Sequence, residues 1–230
     1  MDERQPGNEI VEVINKEKQN NRWKVVIGNE TTSLLSYLKG KKIDEKSEKS
    51  LLKEAISIFS KCPDPNGNST QITGLAVGYI QSGKTMSFTT VTALAHDNGY
   101  QIVIIIAGTS VPLFTQSTNR LKEDLRLDTR PDRAWQLFQN PVVTGQDQRA
   151  IKSVLRDWTD ETVPSIEKQT ILITVMKNHT HLHKLIEVLH GIKLDRVPVL
   201  IIDDEADQAG LNTLVRRGEE STTYRQLVSL

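Results

Sequence analysis

The residues best suited to bind a ligand lie in the stretch G-Y-I-Q-S-G-K-T, residues 78–85. Four residues occupy the fixed positions of the phosphate-loop pattern G-x-x-x-x-G-K-[ST]: Gly78, Gly83, Lys84 and Thr85. Glycines let the backbone curl so that successive N–H groups point at phosphate oxygens, and a following helix adds the positive end of its dipole. The pattern therefore predicts a phosphate-binding loop.

Each polar side chain of this loop has an expected role. Lys84 would reach the β- and γ-phosphates of a nucleotide as a point charge, and the Thr85 hydroxyl would ligate Mg²⁺. Gln81 and Ser82 complete the predicted cofactor-binding set. The pattern requires a strand before the loop and a helix after it, and the apolar residues 72–77 and the helical-looking residues 86–96 meet that requirement. We expect ATP and Mg²⁺ as cofactors.

A second candidate site lies at the end of the stretch V-P-V-L-I-I-D-D-E-A-D-Q, residues 197–208. A β-branched run that ends in acids is typical of a buried parallel strand, whose carboxyl end lies where open α/β sheets bind ligands. Two neighbouring pairs of acids could serve, either Asp203 with Asp204 or Asp204 with Glu205. We favour Asp204 as the Mg²⁺ ligand and Glu205 as the base that takes a proton from the attacking water. Lys84 and Glu205 are thus the predicted catalytic residues.

The segments around these motifs predict the fold class. Four apolar segments are candidate strands separated by helical segments: residues 72–77, 102–107, 170–175 and 197–202. This alternation is typical of an α/β protein with a parallel sheet. Residues 1–70 are polar and helical in patches, and the turn-rich residues 62–70 mark a boundary. We predict a helical N-terminal region at 1–70 and an α/β domain at 71–230.

Composition limits the partners and the compartment. Lys+Arg and Asp+Glu number 29 each, so no overall basic field attracts nucleic acid and any such site must be local. Cys62 is the only cysteine, which rules out an intramolecular disulfide and fits a reducing compartment. The longest strongly apolar run, residues 102–107, is too short to span a bilayer. We expect a cytoplasmic protein with no membrane partner.

The two motifs together resemble a known class of motor. The phosphate loop followed by D-E-A-D at residues 204–207 is similar to the first RecA-like lobe of superfamily 2 helicases and translocases. Three longer segments resemble the Z1 domain: G-L-A-V-G-Y-I-Q-S-G-K-T, I-I-I-A-G-T-S-V-P-L-F-T-Q-S-T-N-R-L and I-I-D-D-E-A-D-Q-A-G-L-N-T. The resemblance covers residues 70–230 approximately. It implies a RecA-like P-loop parallel sheet flanked by helices, with a helical N-terminal appendage.

The resemblance also implies partners. Z1 proteins are large bacterial and fungal proteins named as candidate endonucleases, and some are encoded beside Hsp90- or MutL-like ATPases in bacterial defence clusters. In helicases, residues after two further strands touch the nucleic-acid backbone, and such contacts position a strand without reading its sequence. The corresponding residues in this chain are Thr109, Ser110, Gln116, Thr174 and Lys177. DNA is therefore an expected partner, and an Hsp90- or MutL-like ATPase is a second one.

The chain also departs from the superfamily pattern. A superfamily 2 motor needs a Ser/Thr-Ala-Thr motif after D-E-A-D and a second lobe whose arginines stabilise charge on the transferring phosphate. Neither is found before Leu230, so we expect this chain to be the N-terminal part of a longer protein. The acid–lysine stretch Asp44-Glu45-Lys46 is better explained as a solvated charge run than as a nuclease site. Nuclease activity is not supported by these residues.

A histidine-rich stretch, H-T-H-L-H at residues 179–183, could place two histidines on one helix face. Such a spacing suits Zn²⁺ when a third ligand is supplied. No H-E-x-x-H arrangement accompanies it in the sequence, and Cys62 is remote along the chain. We interpret the stretch as a partly exposed helix that follows a strand.

Three functions remain open. The favoured one is a nucleic-acid-stimulated ATPase lobe of a DNA-acting motor, used in defence against foreign DNA. The second is a nucleotide-switched interaction module that partners an Hsp90- or MutL-like ATPase. The third is a structural α/β domain with an inactive phosphate loop, which we disfavour because both the loop residues and the acids are present.

Overall fold

The computed structural model describes residues 12–14, 23–41, 43–68, 70–77, 84–204, 206 and 222–223. The chain divides into two compact units, Met1–Asn98 and Gly99–Leu230. The domain boundary predicted near residue 70 stays a prediction. No helix in the described part of the chain is long and apolar enough to cross a membrane.

The described residues of the first unit form three helices and two short strands. In chain order these are β1 (Glu12–Ile14), α1 (Asn29–Gly40), α2 (Glu45–Phe59), β2 (Leu75–Val77) and α3 (Lys84–Asp97). Helix α2 begins after Asp44, whose carboxylate accepts hydrogen bonds from the backbone N–H groups of Lys46 and Ser47 and so caps the helix. Helix α3 packs against both α1 and α2.

Strand β2 differs from the sequence-based expectation. Residues 72–77 were expected in the parallel sheet, but β2 pairs antiparallel with β1, with Leu75 opposite Ile14 and Val77 opposite Glu12. Parallel strands are buried on both faces, whereas Leu75 in β2 is 60% exposed. The apolar composition of residues 72–77 therefore predicted a strand but not its partner.

The second unit is a parallel sheet flanked by helices. Its elements are β3 (Ile102–Ile106), α4 (Val111–Asp124), β4 (Trp135–Gln139), α5 (Asp147–Thr159), a 3₁₀ turn (Ser165–Glu167), β5 (Thr170–Val175), α6 (His179–His190) and β6 (Val199–Asp203). The strands lie in the order β4-β5-β3-β6, and every neighbouring pair is parallel. The predicted α/β class is confirmed, and β3, β5 and β6 are three of the four predicted strands.

Strand β4 was not predicted from the sequence. Its residues W-Q-L-F-Q lack a continuous apolar run. Among the described strands, β4 pairs with β5 alone and so lies at an edge of the four-stranded sheet. Of its five residues, only Phe138 is buried. An edge strand with one exposed side shows a weaker hydrophobic signal than a central strand.

The core of the second unit lies between the sheet and helices α5 and α6. The inward residues of the two central strands alternate along the chain and are at most 2% exposed: Ile102, Ile104, Ile106, Ile171, Ile173 and Val175. Leu155 of α5 and Leu182 of α6 belong to the same buried cluster. Each such aliphatic side chain contributes about 1.5–3 kcal/mol on burial, so this core fixes the positions of the strand ends.

Candidate functional site

The carboxyl ends of three strands meet at one level of the sheet. Ile106 of β3 lies opposite Val175 of β5 on one side and opposite Asp203 of β6 on the other. The ladder continues beyond the strands, because Ala107 N–H donates to the Val175 carbonyl and Asp204 N–H donates to the Ile106 carbonyl, each at 2.9 Å. The loops after β3, β5 and β6 therefore start side by side.

Gly108 closes the loop after β3. Its φ of +66° lies in the left-handed region, and a Cβ built on it would come within 2.4 Å of the Phe114 backbone nitrogen. Its carbonyl oxygen accepts a 2.8 Å hydrogen bond from Lys177 N–H in the loop after β5. Only glycine fits both the conformation and the close approach of the α4 backbone.

Lys177 is buried at this edge and pairs with Asp203. Its side chain is 0% exposed, and its Nζ lies 2.8 Å from Oδ1 of Asp203, whose side chain is 27% exposed. The contact is an ion pair between the lysine ammonium and the aspartate carboxylate. The pair joins the end of β6 to the loop after β5. Sequence reasoning missed it, since the two residues are far apart along the chain.

Burial and the ammonium act in opposite directions on Asp203. Burial raises the pKa of Asp203 above its ordinary value, because the carboxylate loses water. The hydrogen-bonding and charge effects of Lys177 lower the pKa but do not cancel this rise. At Asp203 the effect of burial on the pKa is therefore larger than the opposing effect of Lys177.

Asn140 holds the end of β4 to the end of β5. Its backbone N–H donates to the Thr174 carbonyl and its Oδ1 accepts from Met176 N–H, both at 2.8 Å. Its φ of 45° is left-handed, a conformation that asparagine tolerates better than most residues. Sequence reasoning also missed this residue, although the asparagine-proline pair at residues 140–141 was an available turn signal.

The phosphate-loop residues lie mostly outside the described residues. Gly78, Gln81, Ser82 and Gly83 belong to this group, and their predicted roles stay predictions. Lys84 and Thr85 form the first turn of α3, so the helix expected at residues 86–96 begins two residues earlier and continues to Asp97. A helix begins where the pattern requires one, with its positively polarised N-terminus after the loop.

The predicted metal ligand lies at the end of β6. Asp204 directly follows the strand and is half-buried, whereas Glu205 lies outside the described residues. Two adjacent carboxylates, Asp203 and Asp204, offer the oxygen donors that Mg²⁺ prefers, so the residue types fit this ion. Within the described residues, no group of three or more His, Cys, Asp or Glu side chains could hold a metal ion by itself. Magnesium commonly completes its shell with water and substrate phosphates, which agrees with a small protein donor set.

The five residues predicted to contact nucleic acid fall into two groups. Thr109, Ser110 and Gln116 are exposed, the first two in the loop after β3 and the third on α4. Thr174 is fully buried within β5, and Lys177 is occupied by its contact with Asp203. A backbone contact by either buried residue would require the sheet edge to rearrange, so we carry only the exposed group forward.

The histidine-rich stretch forms the start of α6. Asn178 caps the helix by accepting a 2.9 Å hydrogen bond from His181 N–H. Burial lowers the pKa of His181, and the nearby Lys184 lowers it further, so the ring is neutral near neutral pH. The interpretation as a helix after a strand is confirmed.

Comparison of the chain with protein-family models, with curated proteins and with solved structures gave no match in any of the three. The resemblance to the Z1 domain therefore rests on the quoted motifs and stays a prediction.

Proposed function

We propose that the chain binds Mg²⁺-ATP through residues 78–85 and the acids after β6, and that it is the ATP-hydrolysing lobe of a superfamily 2-like Z1 protein. The observation that carries the proposal is the complete G-x-x-x-x-G-K-T pattern followed directly by helix α3. A RecA-like arrangement of the parallel sheet is part of the proposal. The acids at the carboxyl end of β6 support it, because open α/β sheets bind ligands at that edge.

The proposed chemistry assigns one task to each residue. Lys84 neutralises charge on the β- and γ-phosphates, and the Thr85 hydroxyl and Asp204 ligate Mg²⁺. The metal ion supplies further neutralisation of phosphate charge. Glu205 accepts the proton of the attacking water, because water is a poor nucleophile until a base removes that proton.

We further propose that the substrate on which this energy acts is DNA and that the biological setting is bacterial defence. The exposed Thr109, Ser110 and Gln116 support a contact with the phosphate backbone, because hydroxyl and amide groups commonly make such contacts. The balanced charge of the chain, 29 basic and 29 acidic residues, predicts that its own DNA affinity is weak and sensitive to salt.

The test is steady-state ATP hydrolysis by the chain, with and without single- and double-stranded DNA. We expect Mg²⁺-dependent turnover below about 1 per second, because the proposal assigns Lys84 and Mg²⁺ but no arginine to the γ-phosphate charge. The matched control is Lys84→Ala, which removes the lysine and should abolish the signal. Turnover by purified Lys84→Ala equal to that of the unaltered chain would contradict the assignment.

The same assay separates the alternative function. A nucleotide-switched interaction module would bind ATP without turnover and without any response to DNA. A partner of the Hsp90- or MutL-like class would then be expected to bind in only one nucleotide state. Turnover that increases with DNA would favour the motor lobe instead.

A further inference from the structure

Helix α5 carries a row of basic side chains on its solvent face. Arg149, Lys152 and Arg156 are exposed and follow one another at helical spacing, i, i+3 and i+7, so they share one face of the helix. The row extends about 10 Å along the helix axis. We call these three side chains the α5 basic row. The buried residues of the helix lie on the opposite face and pack in the core: Ile151, Val154 and Leu155.

No carboxylate of the described residues forms an ion pair with the α5 basic row. The two acids of α5, Asp147 and Asp157, are half-buried and lie one or two positions from an arginine, where side chains on a helix do not face each other. Asp160 lies four residues after Arg156, but its carboxylate accepts hydrogen bonds from the N–H and hydroxyl groups of Thr162 at 2.8 and 2.6 Å. The row therefore presents positive charge of a single sign to solvent.

Helix α2 shows the more usual arrangement of exposed charges. Lys46, Lys49 and Lys53 have the same i, i+3, i+7 spacing as the α5 basic row and are also exposed. The Nζ of Lys49, however, lies 2.6 Å from a carboxylate oxygen of Glu45. Acids interspersed with lysines are typical of an ordinary solvated face. The acids of α2 equal these lysines in number: Glu45, Glu48 and Glu54.

The chemistry of the α5 basic row favours a polyanion as its ligand. Guanidinium groups bind phosphate in a bidentate way, and the exposed Ser153, four residues after Arg149, can donate a further hydrogen bond to a phosphate oxygen. The cores of protein interfaces are depleted of charge, and none of the exposed large hydrophobic side chains of the described residues belongs to α5. A membrane-binding helix needs a free apolar face, whereas that of α5 is buried in the core.

Helix α5 starts at the edge of the sheet where the proposed DNA contacts lie. It follows β4 after the loop at residues 140–146, and Arg149 lies in its first turn. The backbone N–H of Asn140, where this loop begins, donates to the Thr174 carbonyl near the end of β5. Thr109 and Ser110 follow β3 at the same edge. Only β5 separates β4 from β3, so the loops after β4 and β3 start about 10 Å apart.

We propose that the α5 basic row binds the phosphate backbone of DNA. The choice of DNA as the polyanion rests on the proposed function, whereas the charge and exposure of the row are properties of the chain itself. The row contributes charge and contacts no bases, so it binds all DNA sequences alike. It supplies the local basic site that the balanced overall charge of the chain requires for binding nucleic acid.

The test is the affinity of the chain for fluorescently labelled oligothymidylate, measured by anisotropy in EDTA at a series of salt concentrations. The triple variant Arg149→Ala, Lys152→Ala, Arg156→Ala should bind at least about tenfold more weakly at low salt. The slope of log affinity against log salt concentration should become shallower by about two, because each lost phosphate contact removes about 0.7 from the slope. A single strand of mixed sequence should give the same losses, because phosphate contacts carry no sequence information.

The lysines of α2 provide a matched control. The triple variant Lys46→Ala, Lys49→Ala, Lys53→Ala removes the same charge at the same spacing, so it reproduces any effect of net charge alone. Its DNA affinity should stay within about threefold of that of the unaltered chain. If the α5 triple variant does not fold, its three single variants decide the question, and each should make the slope shallower by about 0.7.

Three results would overturn the proposal: unchanged DNA affinity in the α5 variant, equal losses in the α5 and α2 variants, or no DNA binding by the unaltered chain. Vesicles that contain phosphatidylserine are the competing ligand. Vesicle binding that is lost in the α5 variant, with DNA binding unchanged, would assign the row to a membrane surface instead. Calorimetry of Mg²⁺-ATP binding to Lys84→Ala tests the proposed ATP site separately. Unchanged ATP affinity there, together with DNA loss in the α5 variant, would refute the ATP site and still support the α5 basic row.

Discussion

The backbone N–H of Lys177 donates a 2.8 Å hydrogen bond to the carbonyl oxygen of Gly108. This bond joins the loops after β3 and β5, and Lys177 extends the connection to β6 through its contact with Asp203. One lysine therefore links three strand ends at the edge where the exposed Thr109 and Ser110 also lie. The geometry of this edge depends on backbone conformations that few residue types can adopt.

Gly108→Ala should destabilise the chain by about 1–3 kcal/mol, and by more if the α4 backbone cannot move. The new Cβ would lie 2.4 Å from the Phe114 nitrogen, and the φ of +66° would also be strained. Thermal unfolding measures the loss. Two other glycines serve as controls. Gly99 has a φ of +91° but open space around it, so alanine there introduces backbone strain without a clash. Gly40 has open space and no positive φ, so alanine there introduces neither. Equal losses for alanine at Gly108 and Gly40 would contradict this account of the loop.

Asp97→Ala should lower the stability of the first unit by about 1–3 kcal/mol. Its carboxylate accepts hydrogen bonds from the backbone N–H groups of Gly28, Glu30 and Thr31, each at 2.9 Å, and so caps α1 from the end of α3. The measurement is thermal unfolding monitored by circular dichroism. The exposed Asp195 is a charge-matched control, and a loss in Asp195→Ala as large as that in Asp97→Ala would show that net charge is responsible.

Cys62 should react slowly with iodoacetamide near neutral pH. Burial raises the pKa of its thiol from 9.0 to about 11, so the folded chain holds about a hundredfold less of the reactive thiolate. The rate should rise with pH up to about 11. Because folding favours the protonated thiol, its contribution to stability is complete below pH 9.0 and is lost as the pH rises towards 11. Equally fast labelling of the folded and the urea-unfolded chain would contradict the raised pKa of Cys62.

Glu205→Gln should retain ATP binding and lose turnover by about 10²–10⁴-fold, because the amide keeps the shape of the side chain but accepts no proton. Calorimetry gives the affinity, and the steady-state assay gives the rate. Asp203→Asn is the matched neighbour and should lose far less. Loss of turnover in Asp203→Asn with full turnover in Glu205→Gln would contradict this assignment and would show that the catalytic pair is Asp203 with Asp204.

The parts of the fold that sequence predicted best are those buried on both faces. Strands β3 and β5 were evident as apolar runs because their residues are covered on each side of the sheet. Strand β4 was missed because its exposed edge dilutes that signal. The placement of residues 72–77 in the parallel sheet was wrong, because β2 pairs antiparallel with β1. The composition of a strand reports its burial and carries little information about which distant segment it pairs with.

Sequence predicted only those features of the candidate site that depend on the local order of residues. The helix that starts at Lys84 and the acid at the end of β6 follow from spacing along the chain. The burial of Thr174 and Lys177 could not be predicted from spacing along the chain, because the direction of a side chain depends on which strands lie beside it. Polar residues near strand ends were interpreted as surface contacts, whereas Lys177 serves as the internal counter-ion of Asp203.

The measurement that tests the central claim most directly is calorimetric binding of Mg²⁺-ATP to the chain and to Lys84→Ala. The account predicts binding by the unaltered chain and a strong loss in Lys84→Ala, at least about tenfold, because no other group replaces the lost charge on the phosphates. Lys53→Ala, which removes an exposed lysine of α2, should bind as the unaltered chain does. Unchanged ATP affinity in Lys84→Ala would contradict the phosphate-loop assignment.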